Sequence, residues 1–375
     1  MKKIIIVFLL FISFIPKVNA EELIKNAKSG ILVEASTGEI IYEKKKDEKV
    51  SIASLTKMMV QLIILEKIED GSINWTDIVT SSANASGMGG TQIWLSTGEK
   101  MSVEDLFKGM SIVSANDATV ALAEKVSGSE QEFVKLMNEK AKSIGLKNTN
   151  FKNSTGLDED GHYSTAYDLS ILARELIKHE KIFDFSSKYE DYIRTNTPNK
   201  YWLVNTNKLI RFYDGADGFK TGFTDDAGYT MAVTAKRNNM RLIAIVLGEN
   251  EGKIRNNETM ELLNYGFDNY KIDVIKNKDE EVDQIKIEKG SKNKVKVYLK
   301  NDLSILNKKI NKDIKYDYKV NLNEVKLPIK QNEKVGTIDL IYNDSVIKSV
   351  DLIVKEDVKK IDYFKYLLDR FLYVL

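Results

Sequence analysis

Cysteine is absent from this 375-residue chain, and histidine occurs only twice, at His162 and His179. The first absence excludes disulfides and thiolate chemistry. Together the two leave a zinc centre without its usual ligands, so neither a metal nor a cofactor is expected. A charge of one sign is also missing: 56 Lys and Arg against 55 Asp and Glu give a formal charge of +1. No global field then favours nucleic acid or an acidic partner. Neither end carries the run of about 20 apolar residues that spans a bilayer. There is no internal repeat and no low-complexity tract. What remains is enough chain for two domains held by core burial.

The two ends have patterns of their own. Lys2 and Lys3, the apolar stretch from Ile4 to Ile15 and Val18-Asn19-Ala20 read as a signal peptide over residues 1–20. The mature chain is expected to begin at Glu21, outside the cytoplasm. From Asp357 onward, Ile361, Phe364, Leu368, Phe371 and Leu375 recur at spacings of three and four. These make one apolar helix face, with Lys359, Lys365, Asp369 and Arg370 opposite. Residues 356–375 are therefore expected to form an amphipathic helix lying on the extracytoplasmic membrane surface. A helix docked on its own domain is the plainer reading of the same pattern.

Between the ends, residues 29–43 read as a hairpin turning at Ser36-Thr37-Gly38. A helical middle follows, with capping boxes at Ser102-x-x-Asp105, Ser129-x-x-Glu132 and Thr165-x-x-Asp168. Two β-rich runs, Gly228 to Ala235 and Leu242 to Leu247, precede a helix from Asn257 to Asp268. Strands at both ends with helices between them imply one sheet assembled from distant segments, an α+β domain over 21–270. Short alternating runs such as Lys294-Val295-Lys296-Val297 then suggest a small all-β domain over 271–355.

Three strings carry chemistry: Ser54-Leu55-Thr56-Lys57, Ser114-Ala115-Asn116 and Lys220-Thr221-Gly222. The first two have second copies, Ser291-Lys292-Asn293-Lys294 and Ser82-Ala83-Asn84, and context separates them. Ser54 opens an apolar run that predicts a helix buried on all sides. Ser291 sits among lysines as in a solvated turn, and Ser82 lies in a stretch that reads as loop. Ser114 leads into a helix, and Lys-Thr-Gly occurs once, before a strand pair.

A serine hydroxyl is a poor nucleophile until a base takes its proton. Lys57 shares a helix face with Ser54. Desolvation and a second cation, Lys220, both favour the neutral amine that a general base requires. Ser114 can shuttle a proton to a departing amine, and Asn116 can hold Lys57 and a peptide. Lys220 brings a fixed positive charge and Thr221 a hydroxyl to an edge strand, a receptor for a carboxylate. Gly222 lets backbone and substrate approach. Taken singly, each string has a bland reading: a lysine snorkelling from a helix end, a polar helix start, a turn before a strand.

The ordered set resembles that of β-lactamases and penicillin-binding proteins, and in particular the serine-type D-alanyl-D-alanine carboxypeptidases of low molecular mass. Met88-Gly89-Gly90-Thr91-Gln92-Ile93, Gly145 to Thr149, Gly156-Leu157-Asp158 and Gly161 to Ala166 are similar to segments of that family. The resemblance implies a β-lactamase-like sheet with a helical subdomain, followed by an accessory β domain and a membrane anchor. It also implies an acyl-enzyme on Ser54, formed at the last peptide bond of a peptidoglycan pentapeptide stem. The N–H groups of Ser54 and Phe223 would form the oxyanion hole, and Lys220 and Thr221 would hold the terminal carboxylate. β-Lactams would be covalent inhibitors. Many relatives have histidine where this chain has Phe223, and only a backbone role survives that change. His162 reads as structural.

Rival readings differ in small features. A class A β-lactamase adds a glutamate in an E-x-x-L-N stretch, which is absent between Asn116 and Lys220. A D,D-endopeptidase or transpeptidase would use the same motifs. A non-catalytic wall-binding protein predicts decayed motifs, and all three are intact.

Overall fold

The computed structural model describes residues 23–311 and 314–361. The leader reading, and the terminal-helix reading beyond residue 361, fall outside these residues.

The expected hairpin is β1 (Ser29–Glu34) and β2 (Ile40–Lys44). A single 3-10 turn, Ala53–Thr56, leads into α1 (Lys57–Glu69), which is buried without a break from Lys57 to Leu65. The middle runs through β3 (Ile78–Thr80), α2 (Ala83–Ser86), β4 (Lys100–Ser102), α3 (Val103–Ile112) and α4 (Asn116–Ser127). It continues with α5 (Glu130–Ser143), α6 (Ala166–Leu176) and α7 (Phe183–Ser186). The N-cap half of each expected box forms: the hydroxyls of Ser102, Ser129 and Thr165 accept the N–H of Asp105, Glu132 and Asp168. The stretch after Ser82, expected as loop, contains the one-turn α2, because the Ser82 hydroxyl accepts the Ala85 N–H and starts it.

Next come the hairpin β5 (Glu190–Ile193) and β6 (Tyr201–Val204), the short α8 (Leu209–Phe212) and the long strands β7 (Ala216–Thr224), β8 (Gly228–Arg237) and β9 (Met240–Glu249). α9 (Gly252–Asn269) closes this part. The five-stranded antiparallel sheet has the order β2-β1-β9-β8-β7, so the first strand pairs with the last and β7 is an edge. Strand alternation divides the core. Ile31, Val33, Ile243 and Ile245 face the helices α1, α3, α4 and α6, while Leu32, Val233, Ala244 and Val246 pack on Leu262, Leu263 and Phe267 of α9.

The remainder is all β. β10 (Tyr270–Lys276), β11 (Glu281–Lys286), β12 (Lys294–Leu299), β13 (Leu303–Lys308), β14 (Asp317–Leu322), β15 (Lys334–Tyr342) and β16 (Ser345–Val354) follow in turn. β10 pairs with β13, and the other five form a sheet of order β11-β12-β16-β15-β14. Val295, Val297, Ile338, Leu340, Leu352 and Val354 line its core.

One expectation is corrected here. Residues 356–361, assigned from the pattern to the terminal helix, are not helical; Ile329 pairs with Val358 and Gly290 with Lys360 as isolated β-bridges. Val358 is fully buried in the β-domain core, and that burial outweighs the amphipathic spacing. Among the described residues no helix is long and apolar enough to cross a membrane.

Candidate active site

The strings Ser54 to Lys57, Ser114 to Asn116 and Lys220 to Gly222 converge where the start of α1, the start of α4 and the edge strand β7 meet. Ser54 lies on the 3-10 turn and Lys57 begins α1, so their side chains eclipse rather than sit about a sixth of a turn apart. Lys57 is 0 % exposed. Its Nζ has three neighbours: Ser54 Oγ at 3.0 Å, Asn116 Oδ1 at 2.7 Å and the carbonyl oxygen of Thr155 at 2.6 Å. A neutral amine has two N–H groups and one lone pair. Two carbonyl acceptors take the two protons, and the lone pair is left for the Ser54 hydroxyl. Burial, then the nearby cation Lys220, lowers the Lys57 pKa well below its ordinary value. The arrangement can therefore deprotonate a serine.

Each neighbour is itself fixed. Asn116 Nδ2 donates to the Gly89 carbonyl at 2.7 Å, which orients Oδ1 towards Lys57. Asn153 Oδ1 accepts the Gly156 N–H at 2.7 Å and so holds the turn that aims the Thr155 carbonyl. Gly156 has φ +83°, and a Cβ there would lie 1.9 Å from the Ala53 carbonyl oxygen, so no other residue fits beside the Ser54 turn. Gly222 is a second close approach. A Cβ there would come within 2.9 Å of the Ser54 nitrogen, so this glycine serves the nucleophile turn as well as any substrate.

The remaining candidates are less settled in their bonding. Ser114 Oγ and Lys220 Nζ are buried with no hydrogen-bond partner, two orphan groups at one site. Ser114 has φ +67° and Ala53 φ +47°, so two non-glycine residues are held in the left-handed region here. Lys220 departs from expectation. It is 0 % exposed, and burial, followed by the Arg255 charge, lowers its pKa to about 7, so it is no fixed cation. Thr221 Oγ1 donates to Thr206 Oγ1 at 2.9 Å. Phe223 is half exposed and packs on Tyr229 with ring centroids 4.4 Å apart.

Sequence reasoning missed three groups. The Thr155 carbonyl is a backbone atom with no residue-type signature. Thr206 meets Thr221 only through the fold. His162 is structural, as expected, but its task was unseen. Thr56 Oγ1 donates to the Ala53 carbonyl at 2.8 Å, so His162 Nε2, also 2.8 Å away, must be the donor to Thr56. Nδ1 accepts the Lys152 N–H at 3.3 Å. This neutral imidazole buttresses the nucleophile turn, and burial pushes its pKa down to about 4. The second motif copies lie elsewhere: Ser82 caps α2, and Ser291 exchanges backbone and hydroxyl bonds with Lys359 in the β domain. His179 pairs with Glu69 at 2.8 Å on the surface side of α1. Among the described residues no cluster of three potential metal ligands occurs.

A family model described as D-alanyl-D-alanine carboxypeptidase matches residues 17–251. The chain belongs to that family. A second model, the C-terminal domain of penicillin-binding protein 5, matches residues 270–360 of this carboxypeptidase-family chain. The D-alanyl-D-alanine carboxypeptidase DacF of Bacillus subtilis (strain 168) is 44% identical over 348 residues, covering 92% of this chain and 89% of the relative. DacC of Escherichia coli (strain K12), of the same description, is 34% identical over 347 residues, covering 90% and 86%. Penicillin-binding protein 5 from Haemophilus influenzae superposes with a TM-score of 0.73 at 31% identity, covering 89% of this chain and 98% of that one. Penicillin-binding protein D2 from Listeria monocytogenes, solved with ampicillin bound, has a TM-score of 0.58 at 33% identity and covers 64% and 97%. This chain is thus a serine peptidase of the D-alanyl-D-alanine carboxypeptidase type, a cell-wall hydrolase with an appended all-β domain.

Proposed function

We propose that this carboxypeptidase works through an acyl-enzyme on Ser54 and removes the terminal D-alanine of a peptidoglycan pentapeptide stem. The observation that carries the reading is the Lys57 amine, buried between two carbonyl acceptors with its third direction on Ser54 Oγ. In this reading Lys57 takes the Ser54 proton, and Ser54 attacks the carbonyl between the last two D-alanines. The N–H groups of Ser54 and Phe223 receive the oxyanion, an arrangement typically worth about 3 kcal/mol. Ser114, an orphan group at the same site, relays the proton from Lys57 to the departing amine, and water then hydrolyses the ester. The stem lies along the free edge of β7, where Lys220, Thr221 and Gly222 receive its carboxylate. The unusual Phe223 supplies only its backbone donor.

Intact mass after incubation with a penicillin, followed by D-alanine release from a free pentapeptide, tests this. A stable adduct on Ser54 and released D-alanine are expected. Rapid loss of the adduct with hydrolysed drug would mark a β-lactamase, and turnover confined to crosslinked dimers would mark an endopeptidase. β-Lactams as ligands have support in the ampicillin-bound form of the Listeria relative.

The reading includes export through the leader over 1–20, a peptidase domain over 21–270, a β-rich domain from 271 and a peripheral membrane attachment by the terminal segment. Since Val358 belongs to the β-domain core, the cut that tests attachment falls after Ile361. Removing residues 362–375 should release the protein from anionic vesicles and leave D-alanine release unchanged. Full-length protein that ignores vesicles would end the membrane part of the reading.

A further inference from the structure

A second concentration of backbone strain lies outside the Ser54 site. Trp94, at φ +60°, and Arg194, at φ +53°, are bulky residues in the left-handed region, where side chains cost energy. The two are tied to each other. Arg194 Nη1 donates to the Ile93 carbonyl at 2.9 Å and Nη2 to the Trp94 carbonyl at 3.3 Å. Its Nε meets Glu99 at 2.7 Å. On the other side of the loop, the fully buried Asp117 accepts the N–H groups of Ile93 at 3.1 Å and Leu95 at 2.9 Å. Four hydrogen bonds, with Arg194 itself anchored on Glu99, thus hold Trp94 in a strained conformation, and the result is an indole that is 66 % exposed. Nothing in the core needs that ring.

The indole borders a cleft of about 840 Å³ between the β3–β4 strand pair and the β5–β6 hairpin. The lining beside it is polar, with Ser96, Thr195, Asn196 and Asn199 supplying hydroxyls and amides. Two of its three lining cations are engaged, Arg194 by Glu99 and two carbonyls and Lys200 3.9 Å over the Tyr192 ring; the third, Lys100, shares the lining with the carboxylates of Glu99 and Asp105. An anion would find no uncommitted guanidinium. A pyranose fits better, since it offers a flat C–H face to an indole and a rim of hydroxyl and amide groups to asparagines and serines. The cleft also adjoins the first site along one loop. Asn116 donates to the Gly89 carbonyl through Nδ2 at 2.7 Å and to the Thr91 carbonyl through its backbone at 2.7 Å. Trp94 lies three residues further on.

We infer that this cleft binds the glycan strand of the polymer whose stem peptide enters the Ser54 site, with a sugar ring stacked on Trp94. The inference rests on the proposed peptidoglycan substrate. The glycan strand would run along the outer side of the 89–95 loop while its peptide branch reaches β7.

The test titrates a peptidoglycan tetrasaccharide, its stem peptides removed by an amidase, into the full mature chain, read by calorimetry and indole fluorescence. Saturable binding is expected, weakened about tenfold in Trp94→Gly and kept within about threefold in Trp94→Phe. Glycine relieves the left-handed strain, so an unchanged melting temperature in that variant separates lost stacking from lost fold. The ratio of kcat/KM for glycan-linked over free pentapeptide should fall about tenfold in Trp94→Gly. No binding at millimolar tetrasaccharide, equal binding by Trp94→Gly, or an unchanged ratio would each overturn the inference. The same samples are treated with a penicillin. An adduct on Ser54 without glycan binding defeats the glycan site alone, whereas no adduct defeats the nucleophile assignment and leaves the binding result to stand by itself.

Discussion

The chain contains Ser-x-x-Lys twice, and the two copies show what surroundings do to the same four positions. In the catalytic domain, Lys57 is fully buried against Asn116 and Thr155, and burial drives its amine towards neutrality. In the β domain, Ser291 is exposed and stitches a turn to Lys359, and Lys294 stands on the solvated face of β12. The lysines around it are surface partners of carboxylates: Lys296 with Glu281 at 2.6 Å, Lys334 with Asp351 at 2.6 Å, Lys355 with Asp279 at 3.0 Å. Lys296 even shifts the opposite way, raised by its hydrogen bond with Glu281. A lysine next to water and a carboxylate holds its proton; one sealed between carbonyls gives it up. Burial, more than spacing, converts the motif into chemistry.

The largest effect should come from removing the buried copy's oxygen. Ser54→Ala is expected to abolish penicillin labelling and D-alanine release, while Ser291→Ala should change neither, both read by intact mass and product assay. Labelling that survives in Ser54→Ala would erase the contrast. Next, Lys57→Ala should lower the acylation rate by roughly a thousandfold, the scale of a positioned general base. Circular dichroism should report a retained fold, since alanine favours the helix it begins. The matching change Lys294→Ala should leave the rate as it was.

Lys220 sharpens the comparison, because it is buried yet proposed to act on a carboxylate. Its pKa of about 7 means the cation is present below neutrality and fades as pH rises through that value. KM for a free-acid substrate should therefore climb above about pH 7, and KM for the C-terminal amide should not. Lys220→Ala should cost more kcat/KM on the acid than on the amide. Equal costs would assign Lys220 to tuning Lys57 alone.

The smallest predicted effect concerns His162. An unfolded histidine titrates near 6.5, and the folded one is held down to about 4. Between these values the unfolded chain binds a proton that the folded chain refuses, so stability is full above about pH 6.5 and falls with acid. About 3 kcal/mol should be lost by pH 4. Denaturant midpoints in His162→Gln should show a flatter pH profile over that window. An unchanged profile would mean that another group sets the acid limit.

These contrasts also explain what could be read before the fold was known. The three N-caps and the 29–43 hairpin are local, written in residues that touch their own neighbours, and they form as expected. The catalytic strings were legible because side-chain types are visible in sequence. The Thr155 carbonyl was not, since a backbone oxygen has no letter. The Thr56–His162 bond joins positions 106 residues apart, and only the fold makes it. Lys220 was read as a fixed charge on an edge strand, and the burial that lowers its pKa depends on packing that alternation cannot reveal. Residues 356–361 misled for the opposite reason: a helical spacing shared the segment with Val358, whose burial in a β core decides it.

The 3-10 turn at Ala53–Thr56 has one more consequence, an angular one. Each residue of a 3-10 helix advances about 120° around its axis and each residue of an α-helix about 100°. Over the three steps from Ser54 to Lys57 the first comes full circle, while the second stops about 60° short. The hydroxyl and the amine meet because the helix is wound tighter at its start than along the rest of α1. Gly156, Gly222 and the Thr56–His162 bond all press on this turn. Together they act as a phase lock, keeping a short stretch of chain out of step with the helix it begins.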